Sequence, residues 1–354
     1  MTENNKKWMI YGANGYTGEL IARKAVQQGL TPILAGRNTT KVHTLAQELG
    51  LEFKAFALDD LEQVSEQLKD VALVMHCAGP FSATSKPMML ACLKAGAHYL
   101  DITGEIAVFE LAQSLNSQAQ HANMVLCPGV GFDVIPTDCV AATLKQAMPD
   151  ATHLALGFDS KSGFSPGTAK TSTEGMAEGG KIRKNAKITK VALAHHVRKI
   201  NFGDGEKTAM SIPWGDVSTA FYTTGIPNIE VFVPATPKMI VVAKMLNYIR
   251  PLLKLKFIQH MIKARISTSV VGSDESIRAT LPTYVWGEVR NAQGHTKTAR
   301  IQTDNTYSLT ISGSLMVIQY LLKNTVQGGA YTPAKLMGAD LVTKIPGSGS
   351  LTIS

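Results

Sequence analysis

Residues 8–18 read WMIYGANGYTG, and this stretch decides the fold. Its first four residues, Trp8–Tyr11, form a short apolar run that ends at a glycine, which is typical of a buried strand. Residues 15–28 then place Ile21 and Ala25 on one apolar stripe, and this spacing predicts a helix that stops at Gly29. A strand, a glycine-rich turn and a helix in this order open a β-α-β unit of an α/β fold.

The turn between this strand and this helix has the spacing G-x-x-G-x-x-G. Gly12 permits a tight turn, Gly15 lets the backbone approach a pyrophosphate, and Gly18 lets the helix pack closely on its strand. The helix N-terminus adds N–H groups and the positive end of the helix dipole. Glycines also occur in ordinary turns, but the strand before and the helix after favour a dinucleotide-binding site.

The end of the second predicted strand distinguishes between the two nicotinamide cofactors. NAD sites usually place an acidic side chain there for the ribose hydroxyls, whereas this chain has Gly36, Arg37 and Asn38. The guanidinium of Arg37 suits a 2′-phosphate because it donates paired, charge-assisted hydrogen bonds. We therefore expect NADP, bound as NADPH, rather than NAD. Asp59 follows the third strand and either contacts the adenine or caps the next helix, and the sequence leaves both open.

Strands and helices continue to alternate up to residue 127. Further strands are predicted at residues 32–35, 53–58, 71–77, 98–102 and 124–127. The helices between them include one that follows the cap candidates Thr39 and Thr40, one that begins near Lys86 or Pro87, and one over residues 105–122. Repeated β-α-β units imply a parallel, doubly wound Rossmann sheet, which binds its ligand at the carboxyl ends of the strands.

Loops at these strand ends carry the remaining candidate residues. The loop after the fourth strand reads CAGPF at residues 77–81 and is expected near the central ribose and the nicotinamide. Glu105 follows the fifth strand and Asp133 the sixth, and both are candidate acid–base groups for catalysis, although both also suit helix caps. The predicted cofactor contacts are Gly12, Asn14, Gly15, Tyr16, Thr17, Gly18, Arg37, Asn38, Asp59, Ala78, Gly79, Pro80, Phe81, Thr103 and Gly104.

Together these elements resemble the saccharopine dehydrogenase-like oxidoreductase family, which includes the trans-acting enoyl reductases. The matching pieces are GANGYTG (residues 12–18), AGRN (35–38), CAGPF (77–81), AGAHYLDITGE (95–105), PGVGFDVIPTD (128–138), SPGTAKTSTEGM (165–176), IPWGD (212–216), TGIPNIEVF (224–232) and TPAKLMG (332–338). The resemblance implies an NADP-binding Rossmann domain, a second α+β domain that supplies the substrate face, and a C-terminal segment that returns to the first domain. We place these at residues 1–150, 151–310 and 311–354. Family members act on unrelated and often lipid-like molecules, so the resemblance does not name the substrate.

From residue 151 the pattern changes to strands and loops. Strands are predicted at residues 152–158, 219–223 and 229–233, a hairpin at 283–302, and a helix at 310–322. The basic run at residues 181–190 is expected to be a solvated loop.

Residues 239–263 mix large apolar side chains with lysines and arginine. The charges and Pro251 prevent this segment from spanning a bilayer, and two short amphipathic helices are expected. These helices either pack on the sheet with their lysines extended into solvent, which is the interpretation we prefer here, or line an apolar substrate pocket or lie on an anionic membrane surface.

Composition and charge exclude several classes of protein. With 354 residues, 45% hydrophobic and 18% charged, the chain suits two globular domains and not a disordered protein. The polar start at residues 1–7 is unlike a secretory signal, so we expect a cytoplasmic protein. The four cysteines form no C-x-x-C pair, and we expect no metal. The net charge of +8 comes without a nucleic-acid motif, so we expect a phosphate-rich cofactor and no nucleic acid.

The sequence thus predicts an NADPH-dependent oxidoreductase that reduces a C=C, C=O or imine group of a small substrate, and it leaves open whether that substrate is hydrophobic. No proton donor stands out, so a non-catalytic NADP-binding regulatory protein remains an alternative, as does a protein that binds lipid surfaces. A homodimer and a peripheral membrane contact are also left open.

Overall fold

The structure is a computed structural model that describes residues 6–160, 179–253 and 281–354. The chain divides into two compact units, Met1–Asp133 with Thr310–Met337, and Val134–Leu309 with Gly338–Ser354. In this division residues 134–150 and 338–354 belong to the second unit. The domain limits given above, at residues 150 and 310, concern domains that fold independently and stay a prediction. The sequence pieces at residues 165–176 and 254–263 lie outside the described residues.

The strands of the described chain are numbered in sequence order. They are β1 (Trp8–Tyr11), β2 (Ile33–Gly36), β3 (Phe53–Ala55), β4 (Leu73–His76), β5 (His98–Asp101), β6 (Val125–Cys127), β7 (Ala151–Ser160), β8 (Gly180–Lys184), β9 (Lys187–Val191), β10 (Val197–Asn201), β11 (Glu206–Ile212), β12 (Asn228–Pro234), β13 (Thr283–Asn291), β14 (Thr296–Thr303), β15 (Gly329–Ala330) and β16 (Thr352–Ile353).

The helices of the described chain are numbered in the same way. They are α1 (Tyr16–Gln27), α2 (Thr39–Leu49), α3 (Leu61–Gln67), α4 (Phe81–Ala95), α5 (Ile106–Ser114), α6 (Asn116–Ala122), α7 (Ile135–Ala147), α8 (Asp216–Thr224), α9 (Pro237–Leu253), α10 (Thr306–Lys323), α11 (Pro333–Met337) and α12 (Leu341–Lys344). None of the helices in the described ranges is both long enough and apolar enough to cross a bilayer.

The first unit is built on a seven-stranded sheet in the order β15-β6-β5-β4-β1-β2-β3. All its pairings are parallel. Side chains on opposite faces of β1, such as Ile10 and Met9, are fully buried in two separate apolar cores. The predicted α/β fold with a doubly wound parallel sheet is confirmed, and β15 brings the C-terminal part of the chain back to this sheet, as predicted. The strand order reverses between β1 and β4, where such sheets bind their ligands.

The second unit is built on a mixed nine-stranded sheet. Its main path is β10-β11-β12-β7-β13-β14-β16, and β8 and β9 attach beside β12. Helix α7 packs on one face, where a Cβ at Gly287 would touch Val140 and Leu144. On the other face the sheet curls, so that Arg198 of β10 forms an ion pair with Glu288 of β13 at 3.0 Å although three strands lie between them. This confirms the predicted second α+β domain.

Several elements predicted from the sequence are wrong in type or extent. Residues 219–223 are helical, within α8, rather than a strand. The basic run at residues 181–190 forms the hairpin β8–β9 rather than a loop. Helix α4 begins at Phe81 rather than near Pro87, which lies inside it, and residues 105–122 form two helices rather than one. Helix α9 continues past Pro251 to Leu253, where a break between two short helices was expected.

Candidate functional site

The glycine-rich turn after β1 lies directly against the loop after β4. Gly12 has φ +85°, and a Cβ there would be 2.7 Å from the backbone nitrogen of Ala78. The N–H of Gly12 donates to the carbonyl of Ala35 at 2.7 Å, which ties the turn to the end of β2. A Cβ at Gly18 would overlap the carbonyl oxygen of Gly12. Only glycine fits both positions, because the backbone segments approach more closely than a methyl group allows.

The N-terminus of α1 has the geometry that a pyrophosphate requires. Its N-cap residue, Gly15, has no side chain with which to cap the helix. Asn14 places its amide oxygen beside Gly36 at the end of β2. Tyr16 is 40% exposed and Thr17 is half-buried in the first turn. The site therefore fits the diphosphate of a dinucleotide, because backbone N–H groups and the helix dipole can face it without a side chain in the way.

Arg37 follows β2 and Asp59 follows β3, and both act electrostatically on the Tyr11 phenol. Burial raises the pKa of the Tyr11 phenol to about 12, while Arg37 acts to lower this pKa and Asp59 to raise it. Arg37 and Asp59 are both exposed. Within the described chain Arg37 forms no ion pair. Its guanidinium is thus available to a phosphate near the end of β2.

Two of the cap assignments differ from the sequence prediction. The N-cap of α2 is Asn38, whose side-chain oxygen accepts the N–H of Lys41 at 3.0 Å, rather than Thr39 or Thr40. The N-cap of α3 is Asp60 and not Asp59. Of the two alternatives for Asp59, the contact with adenine therefore remains as the prediction.

The loop at residues 77–81 is held by two side chains, of which the sequence analysis singled out Glu105 but not Thr84. The hydroxyl of Thr84 donates to the carbonyl of Ala78 at 2.6 Å and lies 3.1 Å from that of Pro80. The N–H of Phe81 donates to the carboxylate of Glu105 at 3.1 Å. Gly79 and Pro80 are exposed at the tip of the loop.

His76, the last residue of β4, contacts the Thr84 side chain that holds this loop. Its ring is fully buried, and its Nε2 lies 3.0 Å from the Thr84 hydroxyl, whose only proton goes to a backbone carbonyl. Nε2 therefore donates and Nδ1 carries no proton. Nδ1 has no hydrogen-bond partner among the described residues. Burial lowers the pKa of His76 to about 3, so the ring is neutral at physiological pH.

Asp101 joins the loops after β5 and β6. It is fully buried and accepts hydrogen bonds from the N–H of Thr103 at 2.9 Å, the N–H of Gly129 at 2.8 Å and the hydroxyl of Tyr99 at 2.7 Å. Burial raises its pKa to about 6, and the hydrogen bonds act in the opposite direction. A polar residue that ends the apolar strand β5 is the signal that could have pointed to it.

The two candidate acid–base groups lie on loops that Asp101 holds together. A Cβ at Gly104 would be 3.0 Å from the carboxylate of Asp133, which places Asp133 beside the Thr103–Gly104–Glu105 loop. Burial raises the pKa of Asp133 to about 7. The loop that carries Asp133 is fixed to α10, because the N–H of Phe132 donates to the Thr310 hydroxyl at 3.0 Å.

Neither carboxylate caps the helix that the sequence suggests. Glu105 occupies the N-cap position of α5 but makes no capping hydrogen bond there. Its carboxylate instead accepts the N–H of Phe81, the first residue of α4. The N-cap position of α7 is Val134 rather than Asp133. In the part of the chain that the structure describes, no group of three His, Cys, Asp or Glu residues is arranged to hold a metal ion.

The fold and the site define a class, the dinucleotide-binding proteins with a Rossmann sheet. Within this class, residues 8–127 match the family described as the saccharopine dehydrogenase NADP binding domain. The chain therefore carries an NADP-binding domain of this type, and the resemblance to the saccharopine dehydrogenase-like oxidoreductase family is confirmed.

Curated relatives match the chain over about half its length. A probable mitochondrial saccharopine dehydrogenase-like oxidoreductase of Arabidopsis thaliana is 28% identical over 206 residues, which is 50% of this chain and 44% of that protein. The human saccharopine dehydrogenase-like oxidoreductase is 24% identical over 204 residues, 50% of this chain and 47% of that protein. The trans-acting enoyl reductase of Mycobacterium tuberculosis is 29% identical over 184 residues, 48% of this chain and 44% of that protein. The matched regions thus cover less than half of each relative.

Among solved structures, apo saccharopine dehydrogenase (L-Glu forming) from Saccharomyces cerevisiae matches the fold of the whole chain. The TM-score is 0.64 at 11% identity, over 99% of this chain and 100% of the yeast chain. At this identity the likeness concerns the fold and not the activity.

Proposed function

We propose that the protein is an NADPH-dependent oxidoreductase that reduces a C=C, C=O or imine group of a small, hydrophobic substrate. The close approach of Gly12 to Ala78 carries this proposal, because it joins the phosphate-binding turn to the loop at residues 77–81. In a Rossmann sheet a dinucleotide crosses the carboxyl edge at this point, from the adenosine half beside β2 to the nicotinamide half beside β4 to β6.

Arg37 supports the choice of NADPH. An exposed guanidinium stands where an NAD site has an acidic residue, and it suits the 2′-phosphate by geometry and by charge. Asp59, which also acts electrostatically on Tyr11, is the proposed contact for the adenine.

Asp133 supports a reductase. When bound, NADPH supplies a hydride to one atom of the double bond, and the neighbouring atom must then receive a proton. A carboxyl group with a pKa of about 7 is partly protonated at neutral pH, so Asp133 can donate this proton and recover it from solvent. Glu105 holds the N–H of Phe81, and in this proposal it positions the loop at residues 77–81.

The relatives support the same reaction type. Two are named oxidoreductases and one an enoyl reductase, and each shares less than half of its length with this chain.

The first test is a titration of NADPH and NADH followed by nicotinamide fluorescence, with wild type, Arg37→Ala and, as matched control, the exposed Arg290→Ala of the second unit. We expect Arg37→Ala to weaken NADPH binding about 10- to 100-fold, since hydrogen bonds between charged groups contribute about 1.5–3 kcal/mol each. NADH binding and the control should not change. Equal affinity of wild type for both nucleotides would contradict the choice of NADPH.

The second part of the test uses the NADPH-bound protein with a panel of enones, ketones and imines. Consumption of NADPH that depends on one of these substrates is the expected result. Binding without consumption across the panel would favour the non-catalytic regulatory alternative. A cytoplasmic location and a homodimer remain predictions, to be checked by cell fractionation and by sedimentation equilibrium.

A further inference from the structure

Helix α9 in the second unit presents large apolar side chains to solvent. Val241, Val242 and Met245 are 50%, 55% and 63% exposed, and Tyr248 is 88% exposed. Met239, at the start of the helix, is 48% exposed. With a period of 3.6 residues, positions 241, 242, 245 and 248 lie on one side of the helix. We call these five residues the outer face of α9.

The orientation of the helix is fixed by its other side. Asn247 forms a two-way pair with the backbone of Leu193, accepting its N–H at 2.8 Å and donating to its carbonyl at 3.2 Å. Ile240, Ala243 and Leu246 are half-buried on the same side as Asn247. A rotation that buried the outer face would break both hydrogen bonds, so the exposure of the apolar side chains belongs to the packed state of the helix.

Large side chains of this kind are seldom left in water without a partner. A contiguous exposed apolar patch marks a surface that binds another protein, a ligand or a membrane. The sequence analysis preferred helices packed on the sheet with only their lysines in solvent. The structure half-buries the opposite side of α9 and leaves the outer face exposed.

The charge around the helix favours one kind of partner. Lys238 and Lys244 of α9 are exposed beside the outer face. Residues 231–253 contain two lysines and one arginine and no Asp or Glu. Such a segment is attracted by a negatively charged surface and not by a basic or neutral one.

We propose that the outer face of α9 docks on the surface of an anionic lipid bilayer. The apolar side chains enter the boundary between headgroups and acyl chains, Tyr248 lies at the level of the headgroups, and the lysines contact anionic lipid. Helix α9 lies along the surface in this arrangement. A hydrophobic substrate dissolved in that bilayer would then be close to the protein, but docking itself requires neither substrate nor NADPH.

The test is co-sedimentation of the full chain with large unilamellar vesicles, either of phosphatidylcholine alone or with about 30% phosphatidylserine. Val242→Glu places a charge on the outer face. Val197→Glu is the matched control, because Val197 is 41% exposed on β10 of the same unit. We expect wild type and Val197→Glu to bind the anionic vesicles and not the neutral ones. Val242→Glu should bind at least about tenfold more weakly, because it removes an apolar contact and adds a repelled charge.

Each result bears on the proposal. Binding that falls with added salt and is lost only in Val242→Glu supports it. No sedimentation of wild type with anionic vesicles overturns it, and so does equal binding by the two variants. A concentration-dependent dimer that Val242→Glu abolishes, without vesicle binding, would assign the outer face to a second copy of the chain instead. Because no nucleotide is present, failure of the NADPH site would leave these results unchanged.

Discussion

The two units of this protein hold their functional surfaces together in different ways. In the first unit the carboxyl edge of the parallel sheet is joined through backbone groups and glycines, as at Gly12, Gly18 and the N–H groups bound by Asp101. In the second unit the curled sheet is joined through large side chains. Phe202 and Trp286 pack against each other there, and the Arg198 guanidinium lies 5.1 Å from the Trp286 ring.

The difference shows what each surface tolerates. A site built from backbone accepts many side-chain changes but no added Cβ where two segments touch. A sheet that is held together by packed side chains instead loses stability when a central aromatic ring is removed. The two kinds of substitution should therefore have separate effects, one on NADPH binding and one on stability.

The largest effect is expected from Gly12→Ala. The added Cβ would be 2.7 Å from Ala78 N, and the positive φ of +85° is itself unfavourable for alanine. The turn must move, so we expect NADPH affinity to fall by about a hundredfold or more, which corresponds to strain of about 1–3 kcal/mol together with lost phosphate contacts. The measurement is the fluorescence titration described above.

Gly29→Ala is the control for Gly12→Ala. Its φ is +74°, but nothing lies within 4 Å of the added Cβ. It carries the conformational cost of a positive φ without the steric overlap. If both variants lost NADPH binding equally, the close approach of the two loops would not be the cause.

Trp286→Ala should lower the stability of the second unit without changing NADPH binding by the first. Trp286 is 2% exposed, and truncation of a buried aromatic side chain costs about 3–5 kcal/mol of unfolding free energy. We expect this loss in chemical denaturation, together with unchanged NADPH affinity where the protein is folded. Tyr248→Ala, at a side chain that is 88% exposed, should change stability by less than about 0.5 kcal/mol. A change below about 1 kcal/mol for Trp286→Ala would contradict the role of side chains in closing this sheet.

Asp133→Asn is expected to change stability in a way that depends on pH. The pKa of the carboxyl is about 7 in the folded protein and 3.8 as a reference value, so the folded state binds the proton more tightly than the unfolded state. Well below pH 3.8 the carboxyl is protonated in both states, and its ionisation does not affect their relative stability. As the pH rises from 4 to 7, the carboxyl ionises in the unfolded state but stays largely protonated in the folded state, so wild type loses stability.

The measurement is the melting temperature of wild type and Asp133→Asn across this pH range. The variant should lack this loss and become the more stable of the two above pH 7. Parallel curves for the two proteins would place the pKa of Asp133 near its ordinary value and remove the argument for it as a proton donor.

The first unit was largely predictable, because its strands are covered on both faces. A strand that is buried on both faces is a continuous apolar run in the sequence, whichever strands it pairs with. Accordingly, β1, β2, β4, β5 and β6 lie within one or two residues of their predicted limits. Helix α4 was placed too late because its start depends on residues distant in sequence. Glu105 accepts the first N–H of the helix, and Pro87 suggests a helix start only when that contact is unknown.

The second unit was less predictable for a related reason. Residues 219–223 are rich in β-branched and aromatic side chains, which favours a strand, but tertiary hydrogen bonds hold them as α8. The Thr137 hydroxyl donates to Asp216 at 2.6 Å, and the Thr223 hydroxyl to Asp138 at 2.5 Å. Likewise Arg183, in the basic run expected to be solvated, is 3% exposed and donates to the carbonyl of Val217 at 2.6 Å. Local preference gave way to contacts between distant residues.

The sequence by itself determined the parallel sheet, the glycine-rich turn and the preference for NADP, because apolar runs, glycine spacing and a single arginine act locally. Only the tertiary structure decided that Asp133 lies beside Gly104 and that Asp101 joins the loops, because side chains on different strands meet only after the sheet forms. It also decided which side of α9 faces solvent. Periodicity identifies the residues that share a face, but the pair between Asn247 and Leu193, 54 residues apart, selects the face that is buried.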